Sequence, residues 1–186
     1  MTKKSITNIT SLKTALNDGE SLKYVYFWGH SANLSYIDHH CLSQWYPCGF
    51  TQDNILYPTT EHYLMAKKAL LFNDKDAFKL ILQSSNPGAV KKIGRAVIGF
   101  EQTLWDKNKF DIAVSGNYLK FFQNDDLKNY LINTRNKVLV EASPVDRIWG
   151  VGLAQDDPKI NDPENWQGDN LLGFALMQVR AEIRKS

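Results

Sequence analysis

Apolar positions recur along this 186-residue chain at two periods. At the helical period they mark Thr103 to Phe122, through Leu104, Trp105, Ile112, Ala113, Tyr118, Leu119 and Phe122. They also mark Leu171 to Ile183, where Leu172, Ala175, Leu176 and Val179 share one face. Asp74 to Leu82 is amphipathic, Asn86-Pro87-Gly88 opens a helix running to about Ala96, and Asp125 to Ile132 is a short helix. A further short helix is expected near Ser11 to Leu16, and Gly116 is a candidate bend in the long helix. Strand signals are shorter: Lys23 to Trp28, ended by Gly29, Val138 to Ala142, and Ile148 to Val151. Phe50-Thr51-Gln52 and Ile55-Leu56-Tyr57 flank Asp53-Asn54 and predict a hairpin. His30 to Ser43 and Asp156 to Gly168 read as loops. The strands are few, and helical segments separate them irregularly. The class is α+β, a mainly helical domain over residues 21–186 around a small sheet, preceded by a polar extension over residues 1–20.

The central stretch is Tyr57 to Ala69. Pro58 and Thr59 signal a helix start, and a threonine hydroxyl there can accept from an otherwise orphan N–H. Glu61 falls in the first turn, where the positive end of the helix dipole favours an anion. Lys68 follows about two turns later, so Glu61, Met65 and Lys68 share a face and Lys67 is rotated away. A solvated Glu/Lys face would have the same spacing. Tyr63, Leu64, Met65 and Ala66 make the helix too apolar for that.

Charge and cysteine content remove several function classes. The net charge of +2 does not argue for nucleic acid as a main partner. Two cysteines do not make a disulfide framework, the N-terminus lacks an apolar signal segment, and no run approaches a membrane span. A reducing cytosol is the expected compartment. His30, His39, His40, Cys41 and Cys48 lie close in sequence but fit no zinc spacing, so no metal site is expected.

The stretch Leu139 to Leu153 places an acid, a base, an indole and glycines between two expected strands. Asp146 can be fixed by the flanking sheet, Trp149 can stack on a planar group, and Gly150 and Gly152 admit close backbone approach. A tight hairpin with a core Trp has the same pattern. With these residues the chain resembles the NADAR family, also called YbiA-like proteins, over roughly residues 24–184. The resemblance rests on Tyr57-Pro58-Thr59 with Glu61-His62-Tyr63 and Lys68-Ala69, Gly94-Arg95 followed by Trp105-Asp106, Leu119-Lys120-Phe121 with Gln123-Asn124, Leu139 to Leu153, and Asn170-Leu171-Leu172-Gly173 with Leu176-Met177 and Val179-Arg180. Gln44 stands where the family usually has Asn, and Leu119 where it often has Ala.

The resemblance implies a helical α+β domain, no cofactor, and an N-glycosidase that cleaves between a ribose C1 and a nitrogen. Implied substrates are small nucleotides: ribosylamino-pyrimidine phosphates of early riboflavin synthesis, or ADP-ribose on guanine, with ADP-ribosylated nucleic acid as a further candidate. Such a reaction develops positive charge at C1 and needs a carboxylate nearby, a proton for the departing nitrogen and a water. The implied catalytic residues are Glu61, Lys68 and Asp146, with Lys68 either holding phosphate or hydroxyls by charge or attacking C1 as a neutral amine. The implied substrate-binding residues are His62, Arg95, Trp105, Trp149, Gly150 and Asn170. Arg95 suits a phosphate, the two indoles suit a base or ribose, and Asn170 can cap the last helix while bonding a ligand. A module that binds ADP-ribose or a nucleotide without cleaving it is the alternative.

Overall fold

Helix α2 (Thr60–Leu71) runs through the middle of the molecule, packed against α3 (Lys75–Gln83), α4 (Pro87–Arg95) and α5 (Gln102–Phe122). The computed structural model describes residues 6–31 and 35–185. Around this centre lie α1 (Ile9–Asn17), α6 (Asp125–Asn133) and α7 (Leu171–Ile183), the last packed on α5. The strands are β1 (Tyr24–Phe27), β2 (Phe50–Gln52), β3 (Ile55–Tyr57) and β4 (Val138–Glu141).

Local signals account for most of these boundaries. The side chains of Thr59, Asp74 and Asn86 accept from backbone N–H groups in the first turns of α2, α3 and α4, and Pro87 opens α4 where a missing N–H costs nothing. Asp53 and Asn54 both adopt left-handed φ, the geometry that lets a two-residue turn follow the twist of β2 and β3. Gly116 lies within one continuous α5 and makes room for Tyr63, and Gly94 of α4 does the same for Met65. A Cβ at either position would overlap the α2 side chain. Close approach of both helices therefore buries nearly every face of α2.

β1 and β4 pair in parallel, Tyr24 with Val138 through Phe27 with Glu141. β4 serves two cores because strand side chains alternate. Leu139 joins the main core between the helices. Val138 and Val140 join a smaller one with Leu12, Val151, Ile160 and Phe174. The expected helix near Ser11 is thus docked by a fully buried Leu12.

Ile148 to Val151 is not a strand, contrary to the sequence expectation. The carbonyls of Ile148, Trp149 and Gly150 accept from Leu171, Asn170 and Leu172 N–H groups: Gly150 from Asn170 (3.1 Å), Ile148 from Leu171 (3.2 Å) and Trp149 from Leu172 (3.1 Å). These are the donors that the start of α7 leaves orphaned, so the segment caps a helix instead of extending a sheet. Among the described residues no helix is long and apolar enough to cross a membrane.

Candidate active site

The first turn of α2 meets the end of β4 at a cleft. Its floor is set by long-range backbone bonds. Gln44 O accepts from the Glu61 N–H and from Thr60 Oγ1, both at 3.0 Å. The segment bearing Gln44 follows a short 3-10 turn, His39–Leu42, and is anchored by Lys120 of α5. Lys120 Nζ donates to Cys41 O (2.6 Å) and Ser43 O (2.9 Å).

The cleft has two lobes and a recess. One lobe, about 460 Å³, is lined by Trp28, His30, Trp45, Val145 and Glu141. The other, about 430 Å³, is lined by Lys68, Arg95, Arg147, Trp105, Trp149 and Ile148. Lys91, Arg95 and Asp146 border both. Between them a recess of about 40 Å³ is enclosed by Gln44, Glu61, Glu141, Lys91, Asp146 and Trp149.

Three carboxyl groups converge there with different support. Asp146 is held by its own turn: Oδ1 accepts from the Ile148 N–H (3.0 Å) and the Trp149 N–H (2.8 Å), and Oδ2 lies 3.5 Å from Lys91 Nζ. Glu61 is 4% exposed. Burial pushes its carboxyl up to about 7, against the pull of Lys91 and a hydrogen bond from the Trp45 side chain, while Asp146 adds to the rise. Glu141 goes further, to about 8, through burial and then the charge of Asp146, with Lys91 opposing and Glu61 adding a smaller push. Its Oε2 and Oε1 of Gln44 are buried without a protein partner.

Glu61, Met65 and Lys68 face the same lobe, and Lys67 instead sits over the Tyr63 ring, 5.2 Å from its centroid. Lys68 Nζ donates to Gly94 O (2.7 Å) and lies 4.2 Å from the Phe100 ring centroid and 5.3 Å from that of Trp105. Burial, and then the Arg95 guanidinium, lower its pKa. Arg95, Trp105 and Trp149 all border the lobe.

Three expected substrate contacts are otherwise engaged. His62 is fully buried, with Nδ1 2.8 Å from Thr59 Oγ1 and Nε2 3.0 Å from Ser84 O, so both ring nitrogens tie α2 to its surroundings. Asn170 is also fully buried. Its Oδ1 accepts from the Glu141 N–H (3.0 Å) and its Nδ2 donates to Leu139 O (2.9 Å), which fastens α7 to β4. Its side chain caps no helix. Gly150 serves chain packing: a Cβ there would stand 2.9 Å from Glu141 O and 3.0 Å from Asp146 O.

Glu141, Lys91, Gln44, Trp45 and Trp28 border the cleft without having been expected there. For two of them the sequence carried a signal. Glu141 is the one charge closing an apolar strand, and Lys91 precedes Arg95 by one helical turn, hence on the same face. Among the described residues Asp38, His39 and His40 bring donor atoms within 4.8 Å of one another. Asp38 Oδ1 is already engaged there by the His40 N–H (2.9 Å) and lies 2.9 Å from His40 Nδ1.

The chain is 47% identical over 169 residues to "N-glycosidase R617" of Acanthamoeba polyphaga mimivirus, covering 88% of this chain and 98% of the viral protein. It is 33% identical over 138 residues to "Riboflavin biosynthesis protein PYRR, chloroplastic" of Zea mays, covering 70% of this chain and 20% of that longer protein. The solved NMR structure of the E. coli protein YbiA superposes with a TM-score of 0.71 at 25% identity, covering 88% of this chain and 86% of that one. The NADAR domain family model matches residues 26–184, and the chain belongs to that family.

Proposed function

We propose that this N-glycosidase breaks the bond between C1 of a phosphorylated ribose and a nitrogen of a planar heterocycle. The observation that carries this reading is the lining of the cleft: Glu61, Glu141 and Asp146 lie where a lobe walled by Trp28, His30 and Trp45 meets a lobe in which Lys68 and Arg147 add to the Lys91 and Arg95 that border both. Guanidinium and ammonium groups suit phosphate oxygens. Indoles suit a heterocycle by stacking. A ribose spanning the junction would bring C1 over the recess, with phosphates in the cationic lobe and the departing base against Trp28 and Trp45. ADP-ribose on guanine fits both lobes, since Trp105 and Trp149 offer the adenine a second stacking surface beside the cations. A ribosylamino-pyrimidine phosphate would fill them in part.

The chemistry follows from charge. As the C1–N bond lengthens, positive charge develops on C1 and the ring oxygen, and the ionised form of Glu61 stabilises it in a site of low dielectric. Lys68 lies on the phosphate side. Its lowered pKa raises the fraction of neutral amine, which is what attack on C1 would require.

The test is incubation with ADP-ribosylated guanosine and with the ribosylamino-pyrimidine phosphate, reading the released base by mass. Release from at least one is expected. Tight binding of both without release would replace the enzyme by a binding module. No binding of either would overturn the substrate class.

A further inference from the structure

We propose that Glu141 is the general acid of this cleft, delivering a proton from its carboxyl to the departing nitrogen. The inference rests on the N-ribosyl reading above and adds the group that completes the reaction.

Its geometry separates it from the other two carboxyls. Glu141 ends β4, opposite Phe27 in the parallel pair, and its main chain is held at both ends: its N–H by Asn170 Oδ1 and its carbonyl by the Val151 N–H, each at 3.0 Å. The side chain borders the recess and the ring-lined lobe, where the leaving heterocycle would sit. Glu61 borders the recess and the cationic lobe, on the ribose side. Asp146 has one oxygen committed to two N–H groups and the other beside Lys91. Glu141 Oε2 is buried and makes no hydrogen bond within the protein. A buried carboxylate oxygen left bare is costly, whereas a carboxylic O–H facing a substrate nitrogen is a donor awaiting its acceptor.

The charged and titratable groups around it are Glu61, Asp146, Lys91, Arg95 and His30. Burial and the two neighbouring carboxyls keep Glu141 protonated at neutral pH, with Lys91 pulling the other way. In the step, the C1–N bond breaks and its electron pair goes to nitrogen. The Glu141 proton moves to that nitrogen, leaving Glu141 as a carboxylate. Water then bonds to C1 and gives its second proton to the Glu61 carboxylate. Solvent takes a proton from Glu61 and returns one to Glu141, so the net change is addition of one water.

Leaving groups distinguish an acid from a merely structural residue. A pyridinium, as in nicotinamide mononucleotide, departs neutral and needs no proton. A guanine or amino-pyrimidine nitrogen does need one. Glu141→Gln keeps size and loses the proton. It should lower kcat on the neutral-nitrogen substrate by about 10²–10⁴-fold, the usual worth of a positioned acid, while costing under about tenfold on the pyridinium substrate. Glu61→Gln should slow both. The rate of the wild type on the neutral-nitrogen substrate should also fall as pH rises through about 8, and the variant should lose that limb. Equal losses on both substrates, or a retained limb, would overturn the proposal. If the wild type leaves the pyridinium uncleaved, the limb alone decides. If the wild type releases no base from any substrate, the N-ribosyl reading fails first, and this assignment with it.

Discussion

Buried polar side chains are treated in two ways in this molecule. Away from the cleft, His62 engages both ring nitrogens and Lys120 donates to two carbonyls. There too, Arg180 reaches Thr134 Oγ1 (2.7 Å) and Lys137 O (2.9 Å), and Asn170 uses both ends of its amide. At the cleft, Glu141 and Gln44 keep buried oxygens without a protein partner, and three carboxyls crowd around Lys91. Outside the cleft, among the described residues, only the amide oxygens of Gln52 and Asn117 share that condition. An unmatched polar group costs about 1–3 kcal/mol, so carboxyls grouped this way destabilise the fold unless a ligand uses them. What sets the cleft apart is that its unpartnered oxygens sit beside three carboxyls and Lys91 at a recess, where a substrate could reach them.

The comparison breaks most visibly at Glu61. Glu61→Gln should lower base release by about 10³-fold while leaving ligand affinity within about tenfold, because the amide keeps size and loses charge. Wild-type turnover in that variant would remove Glu61 from the chemistry. Lys68 comes next. If it attacks C1, borohydride added during turnover traps a sugar on the enzyme and Lys68→Arg is inactive, while Lys67→Arg, over Tyr63, stays active. If Lys68 only pairs with phosphate, nothing is trapped and the Arg variant keeps much of its rate.

Lys120 belongs to the other class. Lys120→Met should cost about 2–4 kcal/mol in denaturant unfolding, since a buried and a partly buried carbonyl lose their donor. Unchanged stability would mean that those carbonyls find other partners. Arg95→Ala should weaken phosphate-bearing ligands by about 1.5–3 kcal/mol, the scale of a charge-assisted hydrogen bond. Equal weakening of a phosphate-free nucleoside would make Arg95 structural.

The smallest effect is a pH slope in stability. Glu61 and Glu141 hold protons more tightly folded than unfolded, with folded values of about 7 and about 8 against an ordinary 4.5. Over that window the folded chain binds more protons than the unfolded one, so their contribution falls as pH rises. The difference in Tm between Glu141→Gln and wild type should therefore shift in favour of the variant from pH 5 to pH 8. A difference independent of pH would place Glu141 in a more solvated setting.

Much of the fold and part of the cleft are legible in the residues themselves, for local reasons. Caps at Thr59, Asp74 and Asn86, the Asp53-Asn54 turn, and the helical and strand periods act within a few residues of chain, so they need no knowledge of the rest. The shared face of Glu61 and Lys68 is likewise a property of helix pitch alone. Other features need distant partners. Glu141 reaches the cleft because β4 pairs in parallel with β1 from the far end of the sequence. Gln44 enters because its carbonyl takes the Glu61 N–H. Ile148 to Val151 has strand-like residues, yet its carbonyls are claimed by the bare donors of α7. His62 and Asn170 carry ligand-capable groups that neighbouring backbone uses first. Propensity sets which local structures are available. Competition for buried hydrogen bonds, decided only when remote segments meet, sets which polar groups are left for a substrate.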